Sequence, residues 1–249
     1  MTTALILRRA FQAVLPATLL LAACGKDDKP AGPAPVVEQG RINAYHAAAS
    51  ANVAVKVLID DVEKATLNYG DNSGYQTVNA GNRNIKVNVA ASGANAFPPQ
   101  TVTVEKDRNY SCFVYANTAT SATGLLTPDD LTAPSAGKAK IRLVNVGLDS
   151  PNPLKLSVIA GARTDLANTT TAFGAASSFV EIEPGQFNVA VTSGAASVTV
   201  ANVGDGSGSG AGTNVTYEAN KIYTVLLRGN NSPLVAPELQ TKAVLIRNN

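Results

Sequence analysis

One histidine and two cysteines limit the chemistry open to this 249-residue chain. A Ser-His-Asp relay would need His46, yet no Gly-x-Ser-x-Gly elbow is present to hold a nucleophilic serine. In Asn43-Ala44-Tyr45-His46 it reads as a strand-edge side chain bonded to backbone. Cys112 is in phase with Tyr110 and Val114 and has no basic sequence neighbour to favour a thiolate, so it reads as a small buried hydrophobe. Zinc would need more His or Cys ligands than the chain supplies. Among the carboxylates, Asp60-Asp61 and Asp129-Asp130 are adjacent pairs. Strand neighbours point to opposite faces, so neither pair is a glycosidase dyad. The first reads as a hairpin tip before Val62-Glu63, the second as an interdomain turn after Pro128. Asp205, beside Gly206-Ser207-Gly208, lacks the further carboxylates that hard cations gather, and reads as part of a flexible loop. The expectation is no catalytic residue, no metal site, no cofactor and no enzymatic activity.

Binding is harder to exclude. The chain has no Trp and only 5% aromatic residues, and the core is the usual home of its tyrosines. Tyr69 and Tyr75 are the exceptions, because they flank Gly70-Asp71-Asn72-Ser73-Gly74. Tyr69, Asp71, Asn72 and Tyr75 form the candidate ligand-contact loop.

The elements that must position these residues begin with an N-terminal leader. Arg8 and Arg9 are followed by the apolar stretch Ala10 to Ala23, too short for the ~20 residues that span a bilayer. Leu21-Ala22-Ala23-Cys24 resembles the cleavage box of a bacterial lipoprotein signal, which implies that Cys24 is lipidated. Gly25-Lys26-Asp27-Asp28 resembles the surface-export signal of Bacteroidetes-type lipoproteins, with Lys26, Asp27 and Asp28 as its charged residues. Residues 24–39 then read as a tether, extended by Pro30, Pro33 and Pro35. Cleavage would remove Arg8 and Arg9 and take the net charge from +2 to 0. A neutral body gives no electrostatic reason to expect nucleic acid as a partner.

Beyond the tether the hydrophobic period is two. Val55, Val57 and Ile59 fall on one face of a strand, as do Ile85, Val87 and Val89, Leu154, Leu156 and Val158, and Phe187, Val189 and Val191. Asn79-Ala80-Gly81-Asn82, Glu183-Pro184-Gly185 and residues 93–99 mark turns. The fold class is all-β, with two tandem Ig-like or transthyretin-like sandwiches: residues 40–118, a linker over 119–138, and residues 139–249. The copies align. His46 falls on Asn145 at an offset of 99 (145 − 46), Gly81 on Gly185 at 104 and Tyr110 on Tyr223 at 113. Cys112 then falls on Val225, and Gly204 to Gly212 reads as a loop enlarged in the second copy.

Arg142-Leu143-Val144-Asn145, Pro184-Gly185-Gln186-Phe187 and Asn220-Lys221-Ile222-Tyr223-Thr224-Val225 occur in the order found in the DUF4397 family, which the chain resembles from about Gly40 to Asn230. Residues 125–134 resemble that family's connector. The first copy departs from the pattern at Asn43, where the second has Arg142. The resemblance implies paired sandwiches and supplies no activity. The expectation is a non-enzymatic envelope lipoprotein of the outer membrane, lipid-anchored and facing the cell surface. Its role would be adhesion, envelope scaffolding or binding of an extracellular polymer. The alternatives are a periplasm-facing accessory subunit of an envelope complex, or a hydrolase with an unfamiliar site.

Overall fold

The computed structural model describes residues 37–50, 52–204 and 212–249. The leader, Cys24, Lys26, Asp27, Asp28, most of the tether and Asp205 lie outside the described residues. Residues 37–249 form one compact unit, and its fold is all-β. The first half contains β1 (Gln39–Ala47), β2 (Val55–Ile59), β3 (Val62–Leu67), β4 (Asn72–Asn79), β5 (Gly81–Val89), β6 (Gln100–Val104), β7 (Asn109–Thr118) and β8 (Ser121–Asp129). The second half contains β9 (Ala139–Asn145), β10 (Leu154–Ala160), β11 (Ala162–Asp165), β12 (Ala175–Ala176), β13 (Val180–Ile182), β14 (Gly185–Ser193), β15 (Val198–Asn202), β16 (Val215–Tyr217), β17 (Ile222–Arg228) and β18 (Lys242–Arg247). A single 3-10 turn, Pro237–Leu239, is the helical element among the described residues.

In the first half the sheet β4-β1-β7-β8 packs on β3-β2-β5-β6. In the second, β12-β9-β17-β18 packs on β11-β10-β14-β15, with β13 also on β9 and β16 on β14. The central pairs β1/β7 and β9/β17 are parallel. Their registers are the same: Ile42 lies opposite Tyr110 and Ile141 opposite Tyr223. The antiparallel registers agree too, with Val57 opposite Val87 and Leu156 opposite Val191. Inward side chains fill each half separately. Ala44, Val57, Val87 and Val114 share one cluster, Ile42, Ile85 and Cys112 a second, and Leu143, Leu156, Val191 and Val225 a third. Asp60 and Asp61, both at positive φ, make the tight β2–β3 turn, as expected of a hairpin tip.

The outer faces of the two parallel-centred sheets are buried against each other. Tyr45, Ala47, Phe113 and Tyr115 of the first half pack with Val144, Val146 and Leu226 of the second. Buried on both faces, β17 reads as the near-continuous run Ile222-Tyr223-Thr224-Val225-Leu226-Leu227, not as an alternating strand. This packing also corrects the linker. Residues 121–129 are not connector but the edge strand β8, paired along its length with β7. Leu126 covers a sandwich core and Leu125 the interface between halves, so two-sided burial erased the alternation that would mark a strand.

Candidate functional site

Residues at matching positions of the two copies face each other across this interface. Ser111 and Asp129 in the first half correspond to Thr224 and Asn248 in the second, and Asn43 corresponds to Arg142. On one side Arg142 meets Asp129, with side chains 1% and 0% exposed. Asp129 Oδ2 accepts from the Ser111 and Tyr75 hydroxyls at 2.7 Å each. Arg142 Nε donates to Thr224 Oγ1 at 3.0 Å, Nη1 to the Pro128 carbonyl at 3.0 Å, and Nη2 to Asp129 Oδ1. Its guanidinium lies over the Phe179 ring at 4.5 Å. A buried pair needs this many partners to offset desolvation. Burial and the Asp129 charge push the Tyr75 and Tyr45 hydroxyls well above the usual phenol range. Asp129 is therefore not in an exposed interdomain turn. It is the buried end of β8, while Asp130 turns outward to Lys140 at 2.9 Å.

On the other side the charged pair is replaced by Asn43 and Asn248, and a cleft of about 470 Å³ opens. Its walls are Asn43, His46 and residues 70–72 of the first half, and Arg228, Asn248 and their strand neighbours of the second. The loop singled out in the sequence therefore lies at this cleft: Asp71, Asn72 and Tyr75 line it, and Tyr69 adjoins it through Gly70. The two tyrosines are half-buried, not freely exposed. Tyr69 lies beneath Arg228, whose guanidinium carbon is 4.4 Å from the ring centroid. Gly70 sits so close that a Cβ there would be 3.0 Å from Arg228 Nη2. Asp71 accepts from the Asn68 backbone N–H and Nδ2 at 3.0 and 3.1 Å.

His46 is fully engaged. The Val53 carbonyl lies 2.9 Å from its Nε2 and the Ala48 N–H 3.4 Å from its Nδ1, so the proton is assigned to Nε2. Burial lowers its pKa and keeps the ring neutral. Cys112 is buried, and burial pushes its thiol up to about 12. Among the described residues no group of three or more His, Cys, Asp and Glu could hold a metal. Arg228 was missed in the sequence because it ends an apolar strand. The available signal was the repeat: at the offset of 113 (228 − 115), its counterpart is Tyr115.

These features define a two-sandwich all-β protein with a polar cleft between its halves. Residues 40–152 match the family model described as "Domain of unknown function (DUF4397)", which bears out the resemblance over that stretch. The match includes Arg142 to Asn145 and stops before the Pro184 and Tyr223 motifs. No curated protein matches the chain. Among solved structures it is similar to the Bacillus anthracis TIE protein at 10% identity, covering 77% of this chain and 34% of that one, with a TM-score of 0.23. The chain thus spans about a third of that protein's length. It is also similar to a candidate cell adhesion protein from Parabacteroides distasonis, at 8% identity over 87% of this chain and 100% of the other, with a TM-score of 0.22.

Proposed function

We propose that this chain is a non-enzymatic, lipid-anchored protein of the outer-membrane surface that holds an extracellular polymer in the cleft between its sandwiches. One observation carries the reading: the Gly70–Tyr75 loop and the β17–β18 strands, from different halves, wall one cleft of ligand-binding size. The engagement of both His46 ring nitrogens and the burial of Cys112 support a non-catalytic role. The leader motifs support the anchor and the address.

Two experiments test it. On intact cells, added proteinase should digest the wild type and spare a variant with Lys26, Asp27 and Asp28 all changed to Ala. Equal digestion would overturn the export signal, and protection of the wild type would favour the periplasm-facing alternative. Wild type should fractionate with membranes and Cys24→Ala should not be lipidated. A wholly soluble wild type would overturn the anchor. Retention of the full chain on immobilised polysaccharides should fall when Tyr69 and Asn72 are both changed to Ala. No retention on any polymer would defeat the binding role.

A further inference from the structure

The repeat supplies an internal control for the cleft. At the offset of 104, Tyr69 and Gly70 correspond to Phe173 and Gly174 (173 − 69). The backbone agrees, since Gly70 N–H donates to the His46 carbonyl and Gly174 N–H to the Asn145 carbonyl, each at 2.8 Å. The partner across the interface is Tyr115 in one case and Arg228 in the other. Where it is Tyr115, its ring packs edge-on to Phe173 at 5.6 Å, and both belong to the apolar interface cluster. Where it is Arg228, a guanidinium stacks on Tyr69 and the cleft opens beside it.

Arg228 makes no ion pair with any described carboxylate. Its guanidinium lies over the Tyr69 ring, with the Tyr69 hydroxyl within its hydrogen-bonding reach. Asn248, 9% exposed and on the cleft wall, accepts from Thr224 Oγ1 at 2.8 Å and faces the Tyr75 hydroxyl. Asp71, the carboxylate on the wall, is engaged by Asn68. Arg247, the other cation, is paired with Glu218 at 3.3 Å. What remains is a fixed guanidinium with no carboxylate partner among the described residues, beside the Asn72 amide, whose Oδ1 accepts from the Gly74 N–H at 3.0 Å. A guanidinium matches a carboxylate in geometry and charge, and amides match hydroxyls.

We propose that the cleft binds a carboxylated sugar residue of an extracellular polysaccharide, with Arg228, held by the Tyr69 ring, taking the carboxylate and Asn248 on the wall beside it. This rests on the polymer-binding reading above and adds the chemistry of the polymer.

The test is calorimetric titration of the full-length protein in detergent with an oligogalacturonate and with its methyl ester, which keeps the rings and removes the charge. The acid should bind at least tenfold more tightly than the ester, about 1.4 kcal/mol. Arg228→Gln should weaken acid binding about tenfold or more and leave the ester unchanged, and Arg228→Lys should recover part of the loss. Asn248→Asp, which puts a negative charge on the wall and leaves Arg228 in place, should also weaken the acid. It serves if Arg228→Gln does not fold. Equal binding of acid and ester, no binding of the acid, or wild-type affinity in the Arg228→Gln or Asn248→Asp protein would overturn the proposal. Retention on neutral polymers alone would overturn it while leaving the polymer-binding reading intact.

Discussion

The two sides of the interface between the sandwiches are built from the same positions of a repeat and have opposite characters. On one side Arg142 and Asp129 close a buried, hydrogen-bonded pair, and Tyr115 with Phe173 seals the end of the seam. On the other, Asn43 and Asn248 replace the charges, Arg228 replaces Tyr115, and a cleft remains. Duplicated positions have been divided between fastening and access. The fastened side carries paired charge and ring-on-ring packing. The open side carries a cation that makes no ion pair with any described carboxylate.

The sharpest way to break this comparison is to unfasten the closed side. Arg142→Ala leaves Asp129 buried without its cation and should cost about 3–5 kcal/mol in urea unfolding. Exchanging the pair together, Arg142→Met with Asp129→Leu, should restore most of that. A loss below about 1 kcal/mol in the single variant would show that the pair does not hold the interface. Next come the separate cores. Val87→Ala and Val191→Ala should each cost about 1–3 kcal/mol, since both side chains are fully buried in different halves. The alternation pattern by itself predicts two unfolding transitions unless the interface is large. With aromatic packing and a buried ion pair across it, we expect one calorimetric transition, moved by either valine, that separates into two in Arg142→Ala. Two transitions in the wild type would mean that the seam is weak.

Smaller effects sharpen the contrast. Phe173→Ala should lower stability by about 1–2 kcal/mol, because it removes half-buried interface packing. Tyr69→Ala should reduce polymer retention more than it reduces stability. If the two behaved alike, the division into fastened and open sides would fail. Asn188 and Lys86 occupy outward positions of β14 and β5, and the alternation predicts that both tolerate Ala. The structure corrects this for Asn188, which is 4% exposed, donates to Asn202 Oδ1 and accepts from the Gly204 N–H. Asn188→Ala should cost about 1–3 kcal/mol and Lys86→Ala within about 0.5, measured by thermal unfolding.

The smallest expected change concerns His46. Its folded pKa lies below the ordinary 6.5, chiefly through burial. The unfolded chain therefore binds the proton more readily, so stability is intact above about pH 6.5 and falls as pH drops below it. His46→Asn, which installs the residue found at Asn145, should flatten that fall when melting temperatures near pH 7.5 and 5.5 are compared. An unchanged pH slope would show that His46 contributes nothing to it.

Much of the fold was legible because alternation reports one-sided burial. Strands at the sandwich faces, such as β2 and β5, show it, and the repeat aligned strands whose registers agree. What failed to show was two-sided burial. The sequence pattern reads β8 as connector, and Asp129 as a turn residue, because a second layer covers both. The Tyr69–Tyr75 loop was legible from turn composition. Arg228 was not, since what sets it apart is a contact made from the other half of the molecule.

The parallel pairing of β1 with β7 also sets an order of assembly. Hairpins such as β2–β3 and β7–β8 close over short loops, whereas Arg41 pairs with Thr77 of β4 and, across a longer loop, with Asn109 of β7. Closing that longer loop costs more chain entropy, and non-local pairings of this kind are slow to form. β1 therefore has its β4 partner available on one edge before β7 closes the other. Until β7 arrives, β1, with Ile42, Ala44 and Tyr45, has a partner strand on one edge only. A chain crossing a membrane in extended form would keep one edge of β1 open until most of the first sandwich had followed it through.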